Sequence, residues 1–166
     1  MPEEIQIPQT VTQYYGPFEL RALIQAIRNW ILNEHYDVLE PSYKHKVGAD
    51  GADVEVKFEA ERKETSYIKF KIKAELRIIG MKDVEVVRNN EKAKMQHGRV
   101  QANVSGTLEL DYQKQFEANS FMKGLRDFYN KFIFKQKVEE DYWDRVHSVV
   151  FGLQRFIREQ LHFEAS

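Results

Sequence analysis

Between Val54 and Leu110 the side chains alternate apolar and polar with a period of two. An antiparallel sheet with one dry face and one wet face is the structure that uses so long a run. Val54, Val56, Phe58 and Ala60 alternate with Glu55, Lys57, Glu59 and Glu61. Ile68, Phe70, Ile72, Ala74, Leu76 and Ile78 alternate with Lys69, Lys71, Lys73, Glu75 and Arg77. Val100, Ala102, Val104, Leu108 and Leu110 alternate with Arg99, Gln101, Asn103, Thr107 and Glu109. The runs predict strands over about 53–63, 67–79 and 99–111.

The charges on the wet face also choose the register. Pairing residues whose numbers sum to 132 sets Glu61 against Lys71, Glu59 against Lys73, Lys57 against Glu75 and Glu55 against Arg77. Sums of 128 or 130 set Lys57 against another lysine, which is unfavourable. The segment from Lys69 to Glu109 then reads as one long hairpin turning at Asn89 and Asn90, which tolerate a positive φ. Near this tip the apolar residues match at a sum of 179, as in Val84 with Met95. Farther back they match at 178, as in Ile78 with Val100. One extra residue among Met81 to Asp83, a β-bulge beside Gly80 and Gly98, reconciles the two.

Apolar residues at helical spacing mark three helices. The first runs from Pro17 to Asn33 with Leu20, Leu23, Ile24, Ile27 and Ile31 on one face, and Gly16 and Pro17 at its start. The others cover about 117–134, with Phe121, Leu125, Phe128, Tyr129 and Phe132 directed to the core, and about 139–161, opened by Glu139, Glu140 and Asp141. A strand over about 36–47 with Tyr43, His45 and Val47 inward precedes the meander, and Glu3 to Val11 offers a further edge strand. The expected architecture is a single α+β domain, a two-layer sandwich of a four- or five-stranded antiparallel meander covered on one face by one N-terminal and two C-terminal helices. In layout it resembles the helix-grip proteins of lipid transfer and polyketide cyclisation, whose long C-terminal helix crosses a curved sheet. Helix first and meander second is similar to the cystatins. Neither likeness carries motif residues.

A chain of 166 residues with 42% apolar residues buries a core without staples; at ~150 residues about 68–70% of the unfolded surface is removed from water. With no cysteine, disulfides, thiolate nucleophiles and cysteine-ligated metals drop out. The opening residues carry no export signal and no apolar run approaches a membrane span, which points to the cytoplasm. There is no G-x-S-x-G elbow, no glycine-rich phosphate loop and no H-x-H or H-E-x-x-H among His35, His45, His97, His147 and His162. The expectation is a non-catalytic protein without cofactor or metal. Glu55, Glu59 and Glu61 are assigned to salt pairing on the wet sheet face and Glu139, Glu140 and Asp141 to a helix start. Asn103, Val104 and Ser105 form a sequon that only an exported chain would use.

What remains is surface. The long hairpin over 81–97 and its base carry Lys82, Arg88, Lys92, Lys94, His97 and Arg99, and an isolated two-stranded ribbon is marginally stable. These six residues are the expected contacts of a basic arm, with an exposed sheet edge as the other candidate surface. A partner protein, or self-association, is the expected binding event. Nucleic acid is disfavoured, because 25 basic residues are balanced by 26 acidic ones. A membrane is disfavoured because Glu139, Glu140, Asp141 and Asp144 follow Lys123, Arg126, Lys131, Lys135 and Lys137. The alternative is a helix-grip-like carrier of a hydrophobic small molecule, its pocket lined by Tyr43, His45, Ala74, Ala102 and Gly106, where small residues leave room between sheet and C-terminal helix.

Overall fold

The alternating runs form one six-stranded antiparallel sheet in a computed structural model that describes residues 3–65, 67–110, 120–128 and 141–165. Strand β1 (Glu3–Phe18) leads into helix α1 (Leu20–Asn33). Strands β2 (Asp37–Val38), β3 (Ser42–Gly48), β4 (Gly51–Lys63), β5 (Ile68–Arg88) and β6 (Glu91–Leu110) follow, then helices α2 (Ser120–Phe128) and α3 (Trp143–Ala165). The order across the sheet is β1, β6, β5, β4, β2, with β3 also paired to β4. Sheet and helices make the two-layer α+β arrangement that one-sided alternation requires.

The registers follow the charges. Glu61 faces Lys71, Glu59 faces Lys73, Lys57 faces Glu75 and Glu55 faces Arg77. Ile78 faces Val100 and Val84 faces Met95, and the shift between these two registers falls between Ile79 and Lys82, at the near end of the expected interval. Asn89 and Asn90 turn the hairpin with φ of 53° and 64°, the left-handed pair of a tight two-residue connection. The ion pairs themselves run along or diagonally across strands: Lys57 to Glu55 at 3.2 Å, Lys69 to Glu61 at 3.6 Å and Lys71 to Glu109 at 2.7 Å. Twist carries long side chains past the residue directly opposite.

Four expectations change. Strand β1 reaches Phe18 and pairs with β6 from Leu110 to Gln96, so Gly16 and Pro17 end a strand and do not start a helix. Pro17 is tolerated because β1 is an edge strand. Helix α1 begins at Leu20, behind Glu19, which makes no side-chain cap; the Leu20 N–H donates to the Gln96 side chain at 2.9 Å. The strand expected over 36–47 is broken at Leu39, Glu40 and Pro41 into β2 and β3, so the sheet has six strands where four or five were expected. In α2, Phe121, Leu125 and Phe128 are 76%, 44% and 54% exposed and no described side chain is buried. Helices α1 and α3 already cover the apolar face. Tyr129, Phe132, the lysines at 131, 135 and 137, and Glu139 and Glu140 lie outside the described residues, as do both ends of the helix expected over 117–134 and the start of the one expected over 139–161.

Helix α1 closes with a left-handed residue that is not glycine. His35 has φ of 66°, its N–H reaches the Leu32 carbonyl, and the Tyr36 N–H reaches Ile31, the Schellman pattern. Leu20, Leu23, Ile27 and Ile31 of α1 and Val146, Val150, Leu153, Ile157 and Leu161 of α3 pack with Phe58, Leu76, Ile78, Val100, Ala102 and Leu108 of the sheet. Each fully buried aliphatic or aromatic side chain contributes about 1.5–3 kcal/mol. One polar cluster lies within this layer. Thr10 Oγ1 is 3.2 Å from the Val104 carbonyl and 2.9 Å from the Gln154 amide group, and Gln154 is 4% exposed. The single Thr10 hydroxyl proton is shared between the Val104 carbonyl and Gln154 Oε1, and Gln154 Nε2 is buried without a partner among the described residues.

Candidate functional site

The bulge between Ile79 and Lys82 decides where the arm presents its charges. Gly80 sits there with φ of 66°, a conformation that side chains with a Cβ rarely adopt. Its N–H, left out of the ladder, donates to Asp53 Oδ1 at 3.2 Å. The extra residue exchanges the two faces of β5 beyond this point. On the helix side of the ribbon Asp83, Glu85 and Val87 oppose Gln96, Lys94 and Lys92; on the other side Lys82, Val84 and Val86 oppose His97, Met95 and Ala93.

The expected contact residues therefore do not form one patch. Lys92 and Lys94 are exposed on the helix side, while Lys82, His97 and Arg99 share the opposite face, where His97 meets the ring of Tyr15 edge-on at 5.0 Å. No ion pair joins Lys82, Lys92, Lys94 or Arg99 to an acid among the described residues. The side chain of Arg88 lies outside the described residues.

Lys94 instead belongs to a groove of about 510 Å³ at the root of the arm. Glu19 and, from α1, Leu20, Arg21 and Ile24 line the groove together with Met81, Lys94 and Gln96 of the ribbon and Tyr43 of β3. Gln96 holds the geometry: its carbonyl oxygen accepts from the Leu20 N–H and its amide donates to Asp83 at 3.4 Å. The groove thus brings together one expected arm residue, Lys94, and one expected pocket residue, Tyr43, beside the positive end of α1. Arg21 and Lys94 bring two cations to the groove beside Glu19, and Asp83 and Glu85 lie on the same side of the ribbon, Glu85 directly opposite Lys94.

Tyr43, His45 and Val47 lie on the helix side of β3, opposite Val56, Val54 and Ala52, but they are not inside. Every residue of β3 is exposed, Tyr43 by 53% and Val47 by 76%. Alternation reports the face of a strand and not what covers it; the helices stop short of this edge. Ala74 and Ala102 are buried at 1% and 0%. Above Gly106, a Cβ would meet Val146 Cγ1 at 2.8 Å and Val150 Cγ2 at 3.0 Å. The missing side chain at Gly106 admits the helix, and Tyr43 and His45 stand apart at the exposed edge.

On the wet face, the hydrogen bond from Lys57, reinforced by the charges of Lys57 and of Lys44 on β3, holds the Glu55 carboxyl below the usual range. His45, His97, His147 and His162 each lie against an aromatic ring, of Tyr43, Tyr15, Trp143 and Tyr14 respectively. Among the described residues no three His, Asp or Glu side chains gather as a metal cluster, and no helix is long and apolar enough to cross a membrane. A groove of about 730 Å³ separates α3 from β1, where Thr10 bonds to Gln154 and Arg155 pairs with Glu159 at 3.1 Å. Comparison of the sequence with known protein families and with curated proteins finds no match.

Sequence reasoning misses Gln96, Met81 and the first turn of α1 as parts of the groove. Only the one-residue difference between the register sums on the two sides of Gly80 and Gly98, which locates the bulge, carries a sequence signal for them.

Proposed function

We propose that this protein is a non-catalytic, cytoplasmic binding module that receives a partner protein in the groove between α1, edge strand β3 and the root of the basic ribbon. The observation that carries this reading is the convergence of Tyr43, Arg21 and Lys94 around about 510 Å³ of open space. An exposed aromatic, two cations and a bare strand edge form a set of contacts that peptide recognition uses, while the sequence offers no G-x-S-x-G elbow and no glycine-rich phosphate loop. Lys92, exposed beside Lys94, adds a cation to a ribbon face that also carries Asp83 and Glu85.

A photoreactive amino acid in place of Tyr43, and another in place of exposed Arg28 as control, tests the reading by crosslinking in native lysate. A discrete adduct at 43, lost when Lys92→Glu and Lys94→Glu are added, is the expected result. Indistinguishable labelling at the two positions, or an adduct indifferent to the charge reversals, overturns it.

The small-molecule carrier keeps its support from layout, since β1 pairs with the last strand and α3 lies across both, as in helix-grip proteins. It lacks the room at Gly106 that would favour it, because Val146 and Val150 occupy that space.

A further inference from the structure

We propose that strand β3 is a docking edge for an extended acidic segment of the partner, one in which carboxylates alternate with apolar side chains. This deepens the reading of the groove as a protein-binding site and rests on it.

Strand β3 pairs with β4 on one side, from Ser42 opposite Lys57 to Gly48 opposite Gly51, and with no strand among the described residues on the other. Such an edge presents backbone N–H and C=O groups that a further strand satisfies. Its seven residues specify the chemistry of that strand. Tyr43, His45 and Val47 face the helix side, where the groove continues past Tyr43 to Ile24 and Met81, and call for apolar residues opposite. Lys44 and Lys46 face the wet side. Each already opposes an acid on β4, Glu55 and Asp53 respectively, and an added strand places its own residues against their free flanks.

A second copy of this chain fits poorly. Antiparallel pairing of two β3 strands with their helix sides together, centred on Lys44, His45 or Lys46, sets Lys44 against Lys44, Lys44 against Lys46, or Lys46 against Lys46 of the copy. Like charges directly opposite are destabilising. Carboxylates at the same positions reverse the sign of these contacts. Glu40 and Asp50, exposed just outside the two ends of β3, repel a longer acidic run and confine it to this strand.

The test uses the full chain and a synthetic peptide as long as β3, with glutamates alternating with valines. One control has lysine in place of glutamate; a second has the same composition with the glutamates in one block. Affinity is read by fluorescence anisotropy, and the position of binding by amide hydrogen exchange. The alternating acidic peptide is expected to bind at least about tenfold more tightly than either control and to slow exchange over 42–48. Lys44→Glu with Lys46→Glu, both exposed positions, is expected to transfer the preference to the lysine peptide. Equal binding of the block peptide, protection elsewhere than β3, absence of binding to the wild type, or a dimer joined through β3 each overturn the proposal. If the peptide fails while the crosslink at 43 remains sensitive to Lys92→Glu and Lys94→Glu, the groove still binds protein and only the strand-docking proposal falls.

Discussion

The sheet has two edges, and they are finished in opposite ways. Strand β1 is sixteen residues long, yet Pro8 and Pro17 remove ladder donors and a bulge between Ile7 and Thr10 breaks its line. On its inner side Ile7, Tyr14 and Phe18 are 2%, 8% and 0% exposed, beneath α3 and the start of α1. These features blunt an edge. Strand β3 has seven residues, no proline, no bulge and no buried side chain; its only deterrents are Lys44 and Lys46, which discourage a like-charged strand and invite an acidic one. One edge is closed by geometry and the other is filtered by charge, and a charge filter discriminates among partners where a proline refuses all of them.

Equal truncations at the two edges give the largest expected contrast. Phe18→Ala is expected to cost about 3–5 kcal/mol in chemical denaturation, because it empties a filled site in the core. Tyr43→Ala is expected to stay within about 0.5 kcal/mol, as for an exposed position. Comparable losses at the two sites break the distinction. Next comes the approach of α3 that closes the β1 side. Gly106→Val forces Val146 and Val150 away and is expected to cost about 1–3 kcal/mol, while speeding amide exchange along β1 and leaving β3 unchanged.

Smaller effects follow pH. Burial pushes the Tyr36 phenol, at 3% exposure between α1 and β2, well above its usual range. The unfolded chain therefore releases this proton first, and stability falls as pH rises above about 10. Tyr36→Phe is expected to flatten that fall in denaturation curves; an unchanged fall assigns it elsewhere. At the acid end Glu55 has a lowered pKa, so its contribution is present above the usual carboxylate range and disappears as pH falls below it. Lys57→Met removes the principal cause and is expected to shift the acid limb slightly, by less than either truncation.

The centre of the sheet was legible because its charges and its hydrophobic period constrain each other. Only one register satisfies both for β4 with β5, and the mismatch between Ile78 with Val100 and Val84 with Met95 located the bulge to within a residue. The edges were not legible in the same way. Past Ile7, the bulge shifts the alternation of β1 and Gly16–Pro17 resembles a helix start. In β3 the alternation marks the correct face, but exposure depends on how far α1 and α3 extend, which no pattern within β3 encodes. The groove combined both problems. Lys94 and Tyr43 were each singled out, for different reasons, and only the face exchange at Gly80 and the bond from Leu20 to Gln96 bring them to one site.

Amide hydrogen exchange on the full chain, with and without the alternating acidic peptide, compares the edges most directly. Fast exchange of the outward amides of β3 in the free protein, protection of residues 42–48 on addition of the peptide, and no change along β1 are the expected results. Protection that appears on β1, or a β3 edge already protected in the free protein, would contradict them.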